Sequence, residues 1–295
     1  MIALVEMPSI ERILFPVDFS ERCARTAPVV AAWARHFQAK VTLLHALGLP
    51  PVVGNEFSGA LYATVEPAIH KAAEERLAAF AQQHFGSASV TRVVEAGAAG
   101  EQVVERARKE RTSLIMMPTH GHGAFRRFLT GSVTSKVLHD AKCPVWTSAH
   151  TASVRPKRAA KLRIILCAVD RDSRAVSLIR WAAWLAEQNG AALKVVHVMP
   201  AVDETSQNRG ERAVRQYWIA RASAGMAAIL KQAGRPKAEL VLHGGDIATM
   251  LAATAAGQKA DLLLIGRGHL KQNLGRLRTH TMSIVCKSPC PVLSV

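Results

Sequence analysis

The residues best suited to chemistry in this 295-residue chain follow a short apolar run, Leu114–Met117. The loop after the run contains Gly121, and Gly131-Ser132 then opens a stretch with helical apolar spacing. Glycine lets a backbone approach a ligand closely, and a helix N-terminus offers N–H groups and the positive end of the helix dipole. The pattern therefore predicts an anion site, with phosphate as the ligand. The alternative is a glycine turn that joins strand to helix and binds nothing.

This stretch resembles the universal stress protein family, whose nucleotide-binding members carry Gly-x-x-Gly, nine residues, and then Gly-Ser or Gly-Thr. Here the frame is Pro118-Thr119-His120-Gly121, nine residues from His122 to Thr130, and Gly131-Ser132. Two of the three glycine positions match, and so does the later Cys143-Pro144-Val145. Pro118 replaces the first glycine, and proline has no backbone N–H. One expected donor is therefore missing.

The chain is also an internal duplication with an offset near 150 residues, which predicts two domains. The matched segments are Ile13–Asp18 with Ile165–Asp170, Val41–Ala46 with Leu193–Val198, Glu95–Gly97 with His243–Gly245, Leu114–Met117 with Leu262–Ile265, and Cys143–Val145 with Cys290–Val292. Domains are predicted at 1–150 and 162–295, joined by a polar, basic linker at 151–161.

Each repeat alternates apolar strands with helices, which predicts an α/β fold. The expected architecture is two tandem doubly wound domains, each a five-stranded parallel sheet of Rossmann-like type. The resemblance adds an adenine-nucleotide α-hydrolase-like fold. Ser20 is expected to cap the first helix. A connection at 48–63, rich in proline and glycine, is expected to precede a helix at about 65–85.

By the resemblance, the aspartate that follows the first strand contacts the adenine base, and the remaining positions hold base, ribose and phosphates. The residue types alone leave Asp18 equally open to a role at a helix start, and His120 to a hydrogen-bonded loop role without catalysis. The nucleotide-binding residues carried over are Pro16, Val17, Asp18, Ala46, Gly97, Met117, His120, Gly121, Gly131, Ser132 and Val133.

The second repeat departs further from the family frame. It has Gly266-Arg267-Gly268-His269, nine residues, and then Thr279-His280 in place of Gly-Ser. It keeps the first glycine that the first repeat lacks, so the opposite assignment stays open. The basic side chains of this loop are predicted either to bind an anion directly or to form a solvated face. The candidate second site comprises Asp170, Val198, Gly245, Gly266, Arg267 and Gly268.

Charge and cysteine content narrow the class of protein. Residues 1–150 carry a net charge of +3 and residues 151–295 a net charge of +13. A basic half raises nucleic acid or an acidic partner as a ligand, but the chain has no recognised nucleic-acid-binding motif, so nucleic acid is not expected. Five cysteines without a secretory pattern predict buried thiols and a cytoplasmic protein. No signal peptide or membrane partner is expected.

The leading hypothesis is a stress-response protein, regulatory or protective, that binds ATP or a related nucleotide such as ADP or AMP, with or without Mg²⁺. Enzymatic activity beyond slow ATP hydrolysis is not expected, because the chain has no GxxxxGK[ST] loop and no carboxylate cluster for a metal. The alternative is a nucleotide-free module that self-associates through its terminal edge strands, 145–147 and 292–295. That pairing could join the two repeats of one chain or form a homodimer.

Overall fold

The structure is a computed structural model. It describes residues 8–48, 56–86, 88–119, 131–148, 161–199, 209–267 and 276–295. For residues 56–64, 209–212 and 276–279 it describes the backbone alone. Contacts divide the chain into two compact units, with described residues from Ser9 to Trp146 in the first and from Thr147 to Val295 in the second. The finer domain and linker bounds stay predictions.

Each unit alternates strands with helices. The elements around the first unit are β1 (Arg12–Pro16), α1 (Glu21–Phe37), β2 (Lys40–Leu47), α2 (Glu56–Phe85), β3 (Val90–Ala96), α3 (Ala99–Lys109), β4 (Leu114–Met117), α4 (Ser132–Asp140) and β5 (Val145–Thr147). Those of the second are β6 (Ile164–Ala168), α5 (Ala175–Asn189), β7 (Ala192–Met199), α6 (Arg209–Gln232), β8 (Glu239–Gly244), α7 (Ile247–Gly257), β9 (Leu262–Ile265), α8 (Arg276–Lys287) and β10 (Val292–Ser294).

The strand order confirms the predicted doubly wound α/β fold. In the first unit the order is β3-β2-β1-β4-β5, and in the second it is β8-β7-β6-β9-β10. These are the same order in two copies. The strands β1 and β2 pair in parallel from Arg12↔Lys40 to Pro16↔Leu44, and β6 and β7 pair in the same way. The terminal strands β5 and β10 each stand last in their unit's order, and self-association through them stays a prediction.

The central strands are apolar because they are covered on both faces. Ile13, Leu14 and Phe15 of β1 are almost fully buried, and all four residues of β4 are buried as well. The matching strands β6 and β9 show the same burial. Strands of a parallel sheet between two helix layers have no solvated face, and so the sequence shows continuous apolar runs rather than alternation.

Two local predictions have different outcomes. The predicted cap is confirmed, since the Ser20 hydroxyl accepts a hydrogen bond from the Cys23 N–H at 3.1 Å. The predicted start of α2 was wrong, because the helix begins at Glu56 and not near residue 65. A single interior glycine such as Gly59 costs a helix only about 1 kcal/mol. The glycine and proline content that suggested a loop lies mainly at 48–54.

None of the helices that the structure describes is long and apolar enough to cross a membrane.

The start of α7 provides a pH-dependent prediction. Asp246 caps this helix, and its carboxylate accepts hydrogen bonds from the side chain and backbone N–H of Thr249, which lower its pKa from 3.8 to about 2. A carboxyl group whose pKa is lower in the folded protein stabilises the fold at pH values above its unfolded-state pKa. That stabilisation is lost as the pH falls through its folded-state pKa. We expect wild type to be more stable than Asp246→Asn above pH 4, with the difference shrinking toward pH 2.

Urea unfolding of both proteins at several pH values measures this difference. Asparagine also caps helices well, so the comparison isolates the charge of the carboxylate. A difference in unfolding free energy that stayed constant between about pH 5 and pH 2 would contradict the assignment.

Candidate functional site

The topology places a crevice between β1 and β4. From β1 the chain winds outward through β2 and β3, and it then returns to β4 on the other side of β1. Ligands of open parallel sheets bind at such a switch in strand order, beyond the carboxyl ends of the strands. Asp18 follows the end of β1, and Gly131 precedes the helix that follows β4. Two parts of the predicted site therefore flank the crevice.

The end of β1 is held by two hydrogen bonds that leave little freedom at Val17. Its N–H donates to the carbonyl oxygen of Leu44 at 2.8 Å. Its carbonyl oxygen accepts a hydrogen bond from the His45 Nδ1 at 2.7 Å. A carbonyl can only accept, so His45 carries its proton on Nδ1. The histidine thus positions the peptide that leads into Asp18.

Asp18 has a structural role that its residue type left open. Its Oδ1 accepts a hydrogen bond from the Ser20 N–H at 2.9 Å, and Ser20 in turn caps α1. Asp18 is half-buried. The carboxylate therefore orders the turn between β1 and α1, and this role is compatible with a second hydrogen bond to a ligand.

Phe19, which sequence reasoning missed, forms an aromatic contact beside Asp18. Its φ angle of 61° is in the left-handed region, which is uncommon for a residue other than glycine. The ring centroid lies 4.5 Å from that of His45, and the guanidinium carbon of Arg76 lies 4.3 Å from the same centroid. Such backbone conformations persist where the surroundings over-determine them, and they cluster at functional sites. No sequence spacing signals this contact, because Arg76 comes from the distant helix α2.

The predicted glycine beyond β3 has a conformation that suits glycine alone. Gly97 has a φ of 134°, and its N–H donates to the Leu47 carbonyl at 2.9 Å. A Cβ at this position would lie 2.5 Å from the Gln102 Nε2. The same hydrogen bond brings the end of β2, including Ala46, next to Gly97. Both lie at the carboxyl ends of the strands, which form the carboxyl edge of the sheet.

The start of α4 supplies the groups that could bind phosphate. Gly131 is its N-cap residue and provides no side-chain cap. The buried Thr134 hydroxyl donates to the carbonyl oxygens of Thr119 at 3.0 Å and Pro118 at 3.3 Å. The Gly131 N–H also donates to Thr119 at 3.2 Å. These bonds hold the first turn of α4, where Ser132 is exposed, next to the segment that follows Met117.

Three predicted residues lie outside the described part of the chain. They are His120, Gly121 and Gly268. Their roles stay predictions. The other residues predicted for the first site lie at or just after the carboxyl ends of β1 to β4, or in the first turn of α4.

The second unit repeats the strand-end hydrogen bonds. The Val169 N–H donates to the Val196 carbonyl at 3.0 Å, and the His197 Nδ1 donates to the Val169 carbonyl at 2.9 Å. Gly245, with a φ of 119°, donates to the Met199 carbonyl at 3.1 Å. Both units therefore build the same edge from a histidine and a glycine.

Side chains distinguish the two edges. Arg171 stands where the first unit has Phe19, and Gly225 stands where it has Arg76. The Arg171 guanidinium nitrogens lie 2.9 Å from the position that a Cβ of Gly225 would occupy. Asp246 caps α7, whereas Ala98 at the start of α3 offers no side-chain cap. The second edge therefore has a carboxylate beside Gly245 that the first edge lacks, and the Lys287 ammonium pairs with it at 3.2 Å.

The remaining candidates of the second site have mixed exposure. Asp170 is exposed, Val198 is buried and Gly266 is half-buried. The Arg267 N–H donates to the Val295 carbonyl at 2.7 Å, and its carbonyl oxygen accepts from the Arg174 Nη1 at 2.9 Å. Arg174 also pairs with Asp172. The Arg174 side chain is thus engaged within the protein.

The predicted burial of the cysteines is confirmed for four of the five. None of the five, all in the described part of the chain, forms a disulfide, and Cys143 is the half-buried one. Burial raises the pKa of Cys23, whose Sγ lies near the Pro16 carbonyl, to about 12. It raises the pKa of Cys290 to about 11. These two thiols therefore stay neutral at physiological pH.

Comparison with known proteins agrees with the doubly wound fold. The model of the universal stress protein family matches residues 9–148 and 161–295. These two segments make up nearly all of the sequence. The chain belongs to the universal stress protein family, of which it carries two copies in tandem.

Two individual relatives each match part of this chain. A universal stress protein of Methanocaldococcus jannaschii is 28% identical over 137 residues, which are 46% of this chain and 79% of that protein. Another, from Thermus aquaticus, is 30% identical over 136 residues, 45% of this chain and 94% of that protein. Each relative thus matches about half of this chain.

A solved structure matches nearly the whole chain. It is a protein of unknown function from Pseudomonas aeruginosa, 17% identical, with a TM-score of 0.64, and the match covers 98% of this chain and 93% of that one. At this identity the likeness shows the fold.

Gly97 and Gly245 have equivalent positions in the two units, so alanine substitutions at the two positions can be compared directly. Alanine at either position occupies a backbone region that L residues rarely adopt, at a cost of about 1–3 kcal/mol. Gly97→Ala also displaces the Gln102 side chain, whereas a Cβ at Gly245 would have only ordinary contact, 3.5 Å from Met250. We expect Gly97→Ala to reduce the free energy of unfolding more than Gly245→Ala does. Denaturant unfolding of both variants measures it, and the reverse order would contradict the described packing.

Proposed function

We propose that this protein binds an adenine nucleotide, ATP or its relatives ADP and AMP, at the carboxyl edge of the first unit. The site would use Asp18 for the base, the strand ends at Ala46 and Gly97 for base and ribose, and the start of α4 for phosphates. We infer a regulatory or protective role in the stress response, in the cytoplasm, with Mg²⁺ as an optional companion of the nucleotide.

The observation that carries the proposal is the position of the first turn of α4. Gly131 opens the helix without a side chain of its own, and Thr134 ties the turn to the residues that follow β4. The first N–H groups of a helix have no acceptor within the helix, and the dipole adds positive potential. An anion in the crevice between β1 and β4 would therefore interact with these N–H groups and with the positive end of the helix dipole.

The missing donor at Pro118 does not remove this capacity. Pro118 is buried and lies before the loop, whereas the helix start contributes several N–H groups at once. One backbone hydrogen bond to a charged group contributes roughly 1.5–3 kcal/mol. Loss of one donor among several should therefore weaken phosphate binding without abolishing it.

The second unit is the weaker candidate for the same ligand. The family frame has Gly-Ser where this repeat has Thr279-His280. A threonine thus replaces the glycine that lets the backbone approach a phosphate closely. This difference favours a single occupied site, in the first unit.

The first measurement is the small-molecule content of the purified protein. The protein is purified quickly without added nucleotide and denatured, and the released compounds are identified by chromatography and mass spectrometry. We expect near-stoichiometric ATP, ADP or AMP from wild type. Gly131→Val should lose it, because a β-branched side chain would stand against the phosphates.

The matched control is Thr279→Phe, which adds bulk at the equivalent position of the second unit. It should retain the nucleotide. If instead Thr279→Phe lost the nucleotide and Gly131→Val kept it, the site would belong to the second unit.

An empty wild type calls for a thermal shift with added Mg-ATP. At 100 times the Kd, binding should stabilise the fold by about 2.7 kcal/mol. A change of that size raises the Tm by roughly 5–10 °C for a domain of ordinary size. No released nucleotide and no shift would disprove nucleotide binding.

A further inference from the structure

The side-chain amide of Gln102, near the start of α3, lies over the backbone of Gly97. A Cβ placed at Gly97 would lie 2.5 Å from the Gln102 Nε2 and 3.4 Å from its Cδ. The amide therefore occupies space that is open only because residue 97 is glycine. Gly97 directly follows β3, so the Gln102 amide lies at the carboxyl edge of the first unit.

The Gln102 amide is available to a ligand. The residue is half-buried, and its backbone N–H donates to the Ala98 carbonyl at 3.0 Å. Its side-chain amide, in contrast, forms no hydrogen bond with any residue that the structure describes. A glutamine amide carries a carbonyl acceptor and two N–H donors in one planar group. Both kinds of hydrogen bond are therefore open to a molecule bound at this edge.

The start of α3 lies beside the start of α4. A Cβ at Gly100 would lie 2.8 Å from the Lys136 Cγ and 3.8 Å from the Val133 Cα. The two helices thus approach each other closely where α4 offers its first N–H groups. Gln102, two residues beyond Gly100, lies at the same crevice but next to β3.

The strand order assigns Gln102 to the base end of the site. Phosphates held by the first turn of α4 would lie at the end of β4. In the order β3-β2-β1-β4, the end of β3 is the farthest of the four from that position, and Asp18 follows β1 between them. A nucleotide that extends from α4 past Asp18 would therefore direct its base toward Gln102.

The second unit shows that packing over the edge glycine does not require an amide. Met250 follows Gly245 by five residues, as Gln102 follows Gly97. The Met250 Cγ and Sδ lie 3.5 Å and 3.7 Å from the position of a Cβ at Gly245. Both units thus place a long, unbranched side chain over the edge glycine, and a thioether is only a weak hydrogen-bond acceptor. The hydrogen-bonding capacity of the amide is specific to the first unit.

Given the nucleotide site proposed for the first unit, on which this inference rests, we propose that Gln102 recognises the adenine base. A glutamine amide is complementary to adenine, whose exocyclic amino group donates to Oε1 while a ring nitrogen accepts from Nε2. This pair of hydrogen bonds makes Gln102 a specificity-determining residue. It adds to the contact proposed for Asp18, because an amino group has two protons to donate.

Calorimetric titration of the full-length protein, freed of bound nucleotide by dialysis, tests the proposal. The ligands are ATP and purine riboside triphosphate, which lacks only the exocyclic amino group of adenine. We expect wild type to bind ATP about tenfold more tightly than the analogue, because the amino group makes two hydrogen bonds. Gln102→Met should reduce this preference about fivefold, since one of the two bonds is lost. The remaining preference comes from Asp18.

The variants are chosen to keep the fold. Methionine already packs over the equivalent glycine of the second unit, and denaturant unfolding checks the stability of Gln102→Met. Gln102→Ala, which leaves the space over Gly97 empty, should show the same loss of preference. The matched control is Met250→Gln, which should discriminate between the two ligands as wild type does.

Three results would overturn the assignment of Gln102. ATP binding with an unchanged preference in both Gln102 variants would overturn it and leave the nucleotide site intact. Loss of discrimination against 2′-deoxy-ATP, with the preference for the amino group unchanged, would place the amide at the ribose and not at the base. A wild type that bound neither ATP nor the analogue would overturn the assignment together with the proposed function.

Discussion

Burial of the central strands on both faces is the constraint on which the rest of this structure depends. With β1 and β4 covered by helices, polar groups can be presented only where the strands end. The strand order then places a crevice between those two ends. Because helices cover both faces of the sheet, the polar side chains and N–H groups from Asp18 to the first turn of α4 lie beyond the strand ends. The core thus dictates where a site can form before any residue of the site is chosen.

The duplication separates what the fold requires from what varies. In both units a histidine on the second strand donates to the carbonyl that follows the first strand, and a glycine with positive φ follows the third strand. These features hold the edge together and are kept in both copies. The residues that differ surround the space beyond the edge: Phe19 and Arg171, Arg76 and Gly225, Ala98 and Asp246. One scaffold thus carries different side chains around the same crevice in its two copies.

Much of the fold was predictable from sequence because strand burial and duplication leave direct marks on it. Apolar runs at 114–117 and 262–265, with helical spacing between the strands, indicate a parallel sheet. The Ser20 cap follows from residue type at a helix start. The start of α2 was missed because glycine and proline near residues 48–59 suggested a loop, whereas the apolar turns that follow Glu56 favour helix. Helix ends depend on small differences in free energy that composition does not resolve.

The sequence by itself determined the two-copy α/β fold, the family, and the residue types that could hold a nucleotide. The tertiary structure decided which of these residues are already engaged: Asp18 orders the turn before α1, and His45 fixes the Val17 carbonyl. It also brought Arg76 over Phe19 from a helix nearly sixty residues away. Local patterns record burial and turn chemistry, which act between neighbours in the chain. Contacts between distant segments arise only when the whole fold has formed, and no spacing in the sequence encodes them.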